Sequence, residues 1–132
     1  METITIPTSR QQEFINITHE VKSVVRRSQV TDGEVVVFVP HTTAGITINE
    51  NADPDVVLDI IATLEEMVPV RGEYHHSEGN SHAHIKASLL GSSVRVIVEK
   101  GELVLGTWQG IFFCEFDGPR SRKAHIEVIS LK

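Results

Sequence analysis

The 132-residue chain has one cysteine, Cys114, so no disulfide can form within it and an apolar core must hold the fold. Nothing here demands an oxidising compartment. Long hydrophobic runs are also missing: the longest aliphatic or aromatic stretch is Val35 to Val39, where a spanning helix wants about 20 residues. Membrane insertion is therefore not expected. The opening METITIPTSRQQEF lacks the basic region and apolar stretch of a signal peptide, which makes the cytoplasm the expected location. Positive charge is scarce, with 12 Lys+Arg against 18 Asp+Glu, a net charge of −6, and no Lys or Arg between Ser28 and Val70. Bulk charge argues against a phosphate-neutralising face for nucleic acid. Repeats, low-complexity tracts and linkers are absent too. What remains is 40% apolar residues with nine scattered glycines, the composition of a single globular domain over residues 1–132.

Strand signals dominate. Short apolar alternation predicts strands at Thr3–Ile6 and Glu13–Ile17. Thr18 is placed to cap a helix from about His19 to Ser28 that buries Val21, Val24 and Val25. Glu34 to Val39 reads as a central strand covered on both faces. Asp53 then caps the clearest helix, with Pro54 at its first position and Val57, Ile60, Ile61, Leu64 and Val68 at helical spacing. After a polar loop, His82–Leu90 is a short helix with Ile85, Leu89 and Leu90 inward, stopped by Gly91. Strands at Val94–Glu99 and Leu103–Leu105 form a hairpin through Lys100-Gly101-Glu102. Ile111–Phe116 and Lys123–Leu131 follow, separated by the turn Asp117-Gly118-Pro119. The fold class expected is α+β: β-rich, sandwich-like, with mixed or antiparallel sheets and two or three helices at one side.

Seven histidines are the main chemical anomaly, with His75, His76, His82 and His84 inside ten positions and His41 just after a strand. Neutral imidazole suits zinc and other borderline divalent ions, although the spacing matches no fixed signature and equally describes a decorated polar loop. His19 and His125 read as structural or surface residues. In Asn49-Glu50-Asn51-Ala52-Asp53-Pro54-Asp55, Asp53 and Asp55 are explained by capping. Glu50 is not, and is a candidate ligand or base. Arg120-Ser121-Arg122-Lys123 sits between two strands, where guanidinium forks match phosphate oxygens. Thr42 and Thr43, together with the N–H groups opening the His82 helix, would complete an anion pocket. Trp108 and Gln109 are either a planar-ring site or core packing. Cys114 reads as core, and Glu115, on the opposite face between phenylalanines, requires a partner.

Three separated segments, HTTAGITINENADPD (41–55), HSEGNSHAHIKASLLG (76–91) and LGTWQGIFFCEFDGPRSRK (105–123), resemble the YjbQ-like family, also called secondary thiamine-phosphate synthases. The resemblance spans almost the whole chain. It implies a homotrimer with sites near subunit boundaries. The implied activity is a weak transferase that joins a pyrimidine methyl diphosphate to a thiazole phosphate and releases diphosphate. It further implies a divalent metal, zinc before other ions, on His41, His76 and His84 with His82 as an alternate ligand, and magnesium with the diphosphate. Glu50 and Asp53 are then acid/base or magnesium-water contacts, and Arg120, Ser121 and Arg122 the phosphate turn. Thr42, Thr43, Asn49, Lys86, Trp108 and Gln109 make the remaining substrate contacts. Two other functions stay open: a metal-dependent hydrolase of a small phosphorylated metabolite, and a non-catalytic trimer that binds one.

Overall fold

The computed structural model describes residues 1–131 and divides their strands between two sheets. In chain order the elements are β1 (Glu2–Pro7), β2 (Glu13–Asn16), α1 (Thr18–Ser28), β3 (Gly33–Phe38), β4 (Ala44–Glu50), α2 (Pro54–Met67), α3 (Ser81–Leu90), β5 (Ser93–Glu99), β6 (Glu102–Leu103), β7 (Gln109–Glu115) and β8 (Ser121–Ser130). One sheet has the order β1-β8-β3-β5-β6 and the other β2-β7-β4, and every pairing is antiparallel. The α+β sandwich expected from the sequence is therefore the fold observed. Among the described residues no helix is long and apolar enough to cross a membrane.

Between the sheets lies the larger core, in which Val35, Val37, Val96 and Ile126 from one sheet meet Ile46, Ile111 and Phe113 from the other. Val21, Val24 and Val25 of α1 complete it, each burial contributing about 1.5–3 kcal/mol. A second, smaller core on the far side of the three-stranded sheet joins Phe112, Cys114 and Phe116 to Ala83 and Ala87 of α3. Glu115 alternates with these and faces inward between the sheets. Burial raises the Cys114 thiol well above its usual range, which fits the expected core role.

Several expectations change here. Thr18 lies inside α1 and caps nothing: its hydroxyl donates to Asn16 Oδ1 and accepts from the Ile111 N–H. β3 is central, but Gly33, Val35 and Val37 are buried while Glu34 and Val36 are half-buried and Phe38 is exposed, so only one face is fully covered. β4 has no counterpart in the sequence reading, although Ile46 and Ile48 alternate with Thr47 and Asn49 as in a half-buried strand. α3 turns Ile85 and Leu89 away from the core, while Leu90 packs against the smaller core as expected. Ile85 and Leu89 are exposed while His82, Ala83, Lys86 and Ala87 are buried. Asp53 does cap α2, accepting from the Asp55 N–H at 2.9 Å, yet none of this helix is fully buried.

Candidate functional site

The connection from β3 to β4 crosses between the sheets and carries His41, Thr42 and Thr43 over the start of β8. Val39 N–H bonds Ser92 O and Phe116 N–H bonds Thr43 O, fixing both ends of the crossing. Beneath it Arg122 is buried against Glu115. Its Nε donates to Oε1 at 2.8 Å, and Nη2 reaches both Oε2 and the Thr43 hydroxyl. Glu115 also accepts from the Thr8 hydroxyl and from the Asp117 N–H. Burial pushes the Glu115 carboxyl up, but these donors, Arg122 first, outweigh it and hold the group below its usual value. This is the partner that a carboxylate between phenylalanines required.

Arg120 differs from Arg122 in being exposed, and it pairs with Asp117 at 3.0 Å. Its backbone N–H donates to Thr8 Oγ1. The turn between them needs Gly118, since a Cβ there would collide with Arg10 O. Both arginines line one pocket of about 540 Å³ with His41, Thr42, Thr43 and Ser92. Next to it, a space of about 530 Å³ is shared by His41, Thr42, His84 and Ser88. His84 in turn lines a third, of about 390 Å³, with His76, Tyr74 and Ser81. Arginines and histidines therefore border a row of adjoining pockets along the β3–β4 crossing and the first two turns of α3.

The imidazoles are not equivalent. His41 Nε2 accepts from the Lys123 N–H at 3.0 Å, which commits its lone pair and puts the ring proton on Nδ1. Burial, then the charge of Arg122, lower its pKa, so the ring is neutral near pH 7. His76 and His84 pack edge to face with centroids 5.5 Å apart, and Glu78 stands 3.7 Å from His76. His82 is buried and its Nδ1 lies 3.0 Å from Lys86 Nζ; burial first, then Lys86, lower its pKa. Among the described residues no three His, Cys, Asp or Glu side chains gather to hold an ion. His76 and His84 are the two imidazoles in mutual contact, while Nε2 of His41 and Nδ1 of His82 are already taken by protein partners.

The other sequence candidates divide by position. Ser121 is the exposed first residue of β8, beside the arginines. Lys86 is not a surface contact for phosphate: it is wholly buried and bonded to Gln12, Glu65 and His82. Burial raises the Glu65 carboxyl, but hydrogen bonds from Gln12, Lys86 and the Val70 N–H lower it further, to about 2. Glu50, Asp53, Asn49, Trp108 and Gln109 cluster at the opposite end of the β4–β7 ladder, where Glu50 pairs with Gln109 in register. That is about 20 Å from Ala44 at the usual strand rise, so one subunit does not bring them to the arginines. Asn49 Oδ1 accepts from the Glu50 N–H, Glu50 from Ala52 and Gln109 Oε1 from Gly106. Trp108 is 63% exposed and takes no part in the core. Glu65, Gln12, Thr8 and Asn80 escaped sequence reasoning, Asn80 despite lying within the 76–91 segment, and only the fold supplies the partner of each.

The chain matches the family described as UPF0047 protein YjbQ-like over residues 2–131. It is 50% identical to the UPF0047 protein YugU of Bacillus subtilis over 130 residues, covering 98% of both chains. Identity to the UPF0047 protein MJ1081 of Methanocaldococcus jannaschii is 52% over 127 residues, 96% of this chain and 92% of that one. A crystal structure of an uncharacterised YjbQ/UPF0047 protein from Clostridium acetobutylicum superposes with a TM-score of 0.97 at 59% identity, covering 98% and 100% of the two chains. A YbjQ-like protein of unknown function from Sulfolobus solfataricus gives 0.94 at 36% identity, over 98% and 95%. This chain therefore belongs to the YjbQ-like UPF0047 family.

Proposed function

We propose that the chain is a transferase of the thiamine-phosphate synthase type, of weak or secondary activity, working on small phosphorylated metabolites in the cytoplasm as a homotrimer. The observation that carries the reading is the pocket in which Arg120 and Arg122 face His41 and Thr42. In the reaction the bond from the pyrimidine methylene carbon to diphosphate oxygen breaks, the oxygen keeping the electron pair, and the thiazole nitrogen bonds to that carbon. Negative charge grows on the leaving diphosphate, where preorganised guanidinium and N–H donors act most strongly. Arg120 is the exposed donor, held by Asp117, and Arg122 the enclosed one, held by Glu115. His41 adds its Nδ1–H. A divalent cation on His76 and His84, zinc from the ligand chemistry or magnesium carried by the diphosphate, would neutralise phosphate charge.

Assembly is part of the proposal. Val56, Ile60 and Leu64 line an apolar hollow on the outer side of α2, and Leu58 and Met67 are also exposed. Burying such a face against identical copies in a closed ring supports the trimer. Contact between neighbours would also bring the Glu50, Asp53, Asn49, Trp108 and Gln109 end of one subunit toward the arginine pocket of the next. Trp108 then stacks on the pyrimidine while Glu50 serves as acid or base. The wide separation of the two ends within one subunit favours a second reading, in which the arginine pocket alone binds a phosphorylated metabolite without converting it.

The test supplies both thiamine precursors with magnesium and follows thiamine phosphate and diphosphate. The expected result is turnover that drops about 100-fold in Arg120→Ala. Equal turnover in the variant overturns the transferase reading. Release of inorganic phosphate without a coupled product points to the hydrolase. Tight binding with no conversion over hours points to the binding trimer.

A further inference from the structure

Two buried polar atoms near the start of α3 lack a protein partner, and they are of opposite kind. Lys86 Nζ donates to Gln12 Oε1 at 3.0 Å, to Glu65 Oε1 at 2.9 Å and to His82 Nδ1 at 3.0 Å, which occupies all three ammonium protons. An ammonium has no lone pair to offer, so Nδ1 accepts and the neutral ring carries its proton on Nε2. That Nε2–H is enclosed and meets no acceptor among the described residues. Asn80 donates through Nδ2 to Asp117 Oδ2 at 2.9 Å. Reversing the amide would set two acceptors against each other, so the orientation is fixed and Oδ1 is the atom left over. Asp117 Oδ2 also accepts from Arg120 Nη2.

Two runs of hydrogen bonds therefore stop short. One passes from Glu65 through Lys86 to His82 and ends on a donor. The other passes from Arg120 through Asp117 to Asn80 and ends on an acceptor two residues away. A buried donor or acceptor left unmade forfeits its hydration with nothing in return, so buried polar atoms are as a rule paired with protein or with ordered water. A water accepts with its oxygen and donates with a proton, and is small enough for an enclosed polar site.

We infer that one resident water bridges His82 Nε2 and Asn80 Oδ1, linking the buried lysine to Arg120 and making Asn80 a positioning residue for that guanidinium. His82 is then a hydrogen-bond donor and not an alternate metal ligand. The water site stands independently of the proposed function; the link to Arg120 rests on the anion reading of its pocket.

The experiment uses the full-length 15N-labelled protein and Asn80→Leu. In the wild type, histidine ring spectra are expected to show His82 protonated on Nε2, with a slowly exchanging ring proton and a cross-peak to long-lived water. Protonation on Nδ1, or cross-peaks to protein atoms alone, overturns the inference. In Asn80→Leu the water cross-peak is expected to vanish, the Arg120 Nε–H signal to shift, and affinity for inorganic phosphate to fall about threefold or more. Persistence of the water signal overturns the bridge, and unchanged phosphate affinity overturns the positioning role. If inorganic phosphate does not bind the wild type while the water signal is present, the anion reading of the pocket fails and the water site stands.

Discussion

Among the described residues two ion pairs include a fully enclosed charge, and they hold different things. Glu115 and Arg122 sit on neighbouring ends of β7 and β8, both enclosed, with Thr8 and Thr43 filling the remaining hydrogen-bond positions. Glu65 and Lys86 join two helices, and there only the lysine is enclosed, the Glu65 side chain being 38% exposed. The first pair ties the two sheets together beneath the arginine pocket. The second ties a loosely attached α2 to α3. Removing Arg122 strands the enclosed Glu115 carboxylate, whereas an amide at position 65 still accepts from the enclosed Lys86, which also keeps Gln12 and His82 as acceptors, so the same chemistry has unequal weight at the two places.

The largest expected effect follows from the closed pair. Arg122→Met leaves Glu115 charged and enclosed, and denaturant unfolding is expected to show a loss of about 3–5 kcal/mol. A loss no greater than that of Glu65→Gln would break the contrast. The half-open pair sharpens it through pH. Glu65 titrates at about 2 in the fold against about 4.5 unfolded, so the unfolded chain binds more protons between these values. Its stabilisation is complete above about pH 4.5 and is lost as pH falls toward 2. Glu65→Gln is expected to flatten that acid limb in melting curves, while lowering stability at pH 7 by only about 1 kcal/mol. The smallest effect is expected at Trp108→Ala, within about 0.5 kcal/mol for an exposed side chain. A larger destabilisation of the monomeric subunit would assign Trp108 to the core after all.

What could be read from the sequence was set by how local each signal is. Asp53-Pro54 announces the start of α2, Lys100-Gly101 the β5–β6 hairpin and Gly91 the end of α3, because each acts through its own backbone. Cys114 and Glu115 were legible as an alternating pair, one apolar and one demanding a partner. α3 was not, since its apolar Ile85 and Leu89 face outward while Lys86 is made tolerable inside by Gln12 and Glu65, residues 74 and 21 positions away. The candidate site was legible as a set of residue types. Its division into an arginine end and a carboxylate end was not, because that depends on β4 being a strand and on its length.

Arg122 has one more consequence, for pairing rather than for binding. Side chains alternate along β8, so sliding it by one residue against β1 and β3 would turn Arg122 to solvent and drive Lys123 between the sheets. The misaligned chain would face Glu115 with no guanidinium and would enclose an unmatched ammonium. Apolar alternation in β8 is weak toward its end, where Ile129 is exposed. The Arg122 charge therefore reinforces the alignment that buried Ala124 and Ile126 already favour in the longest strand.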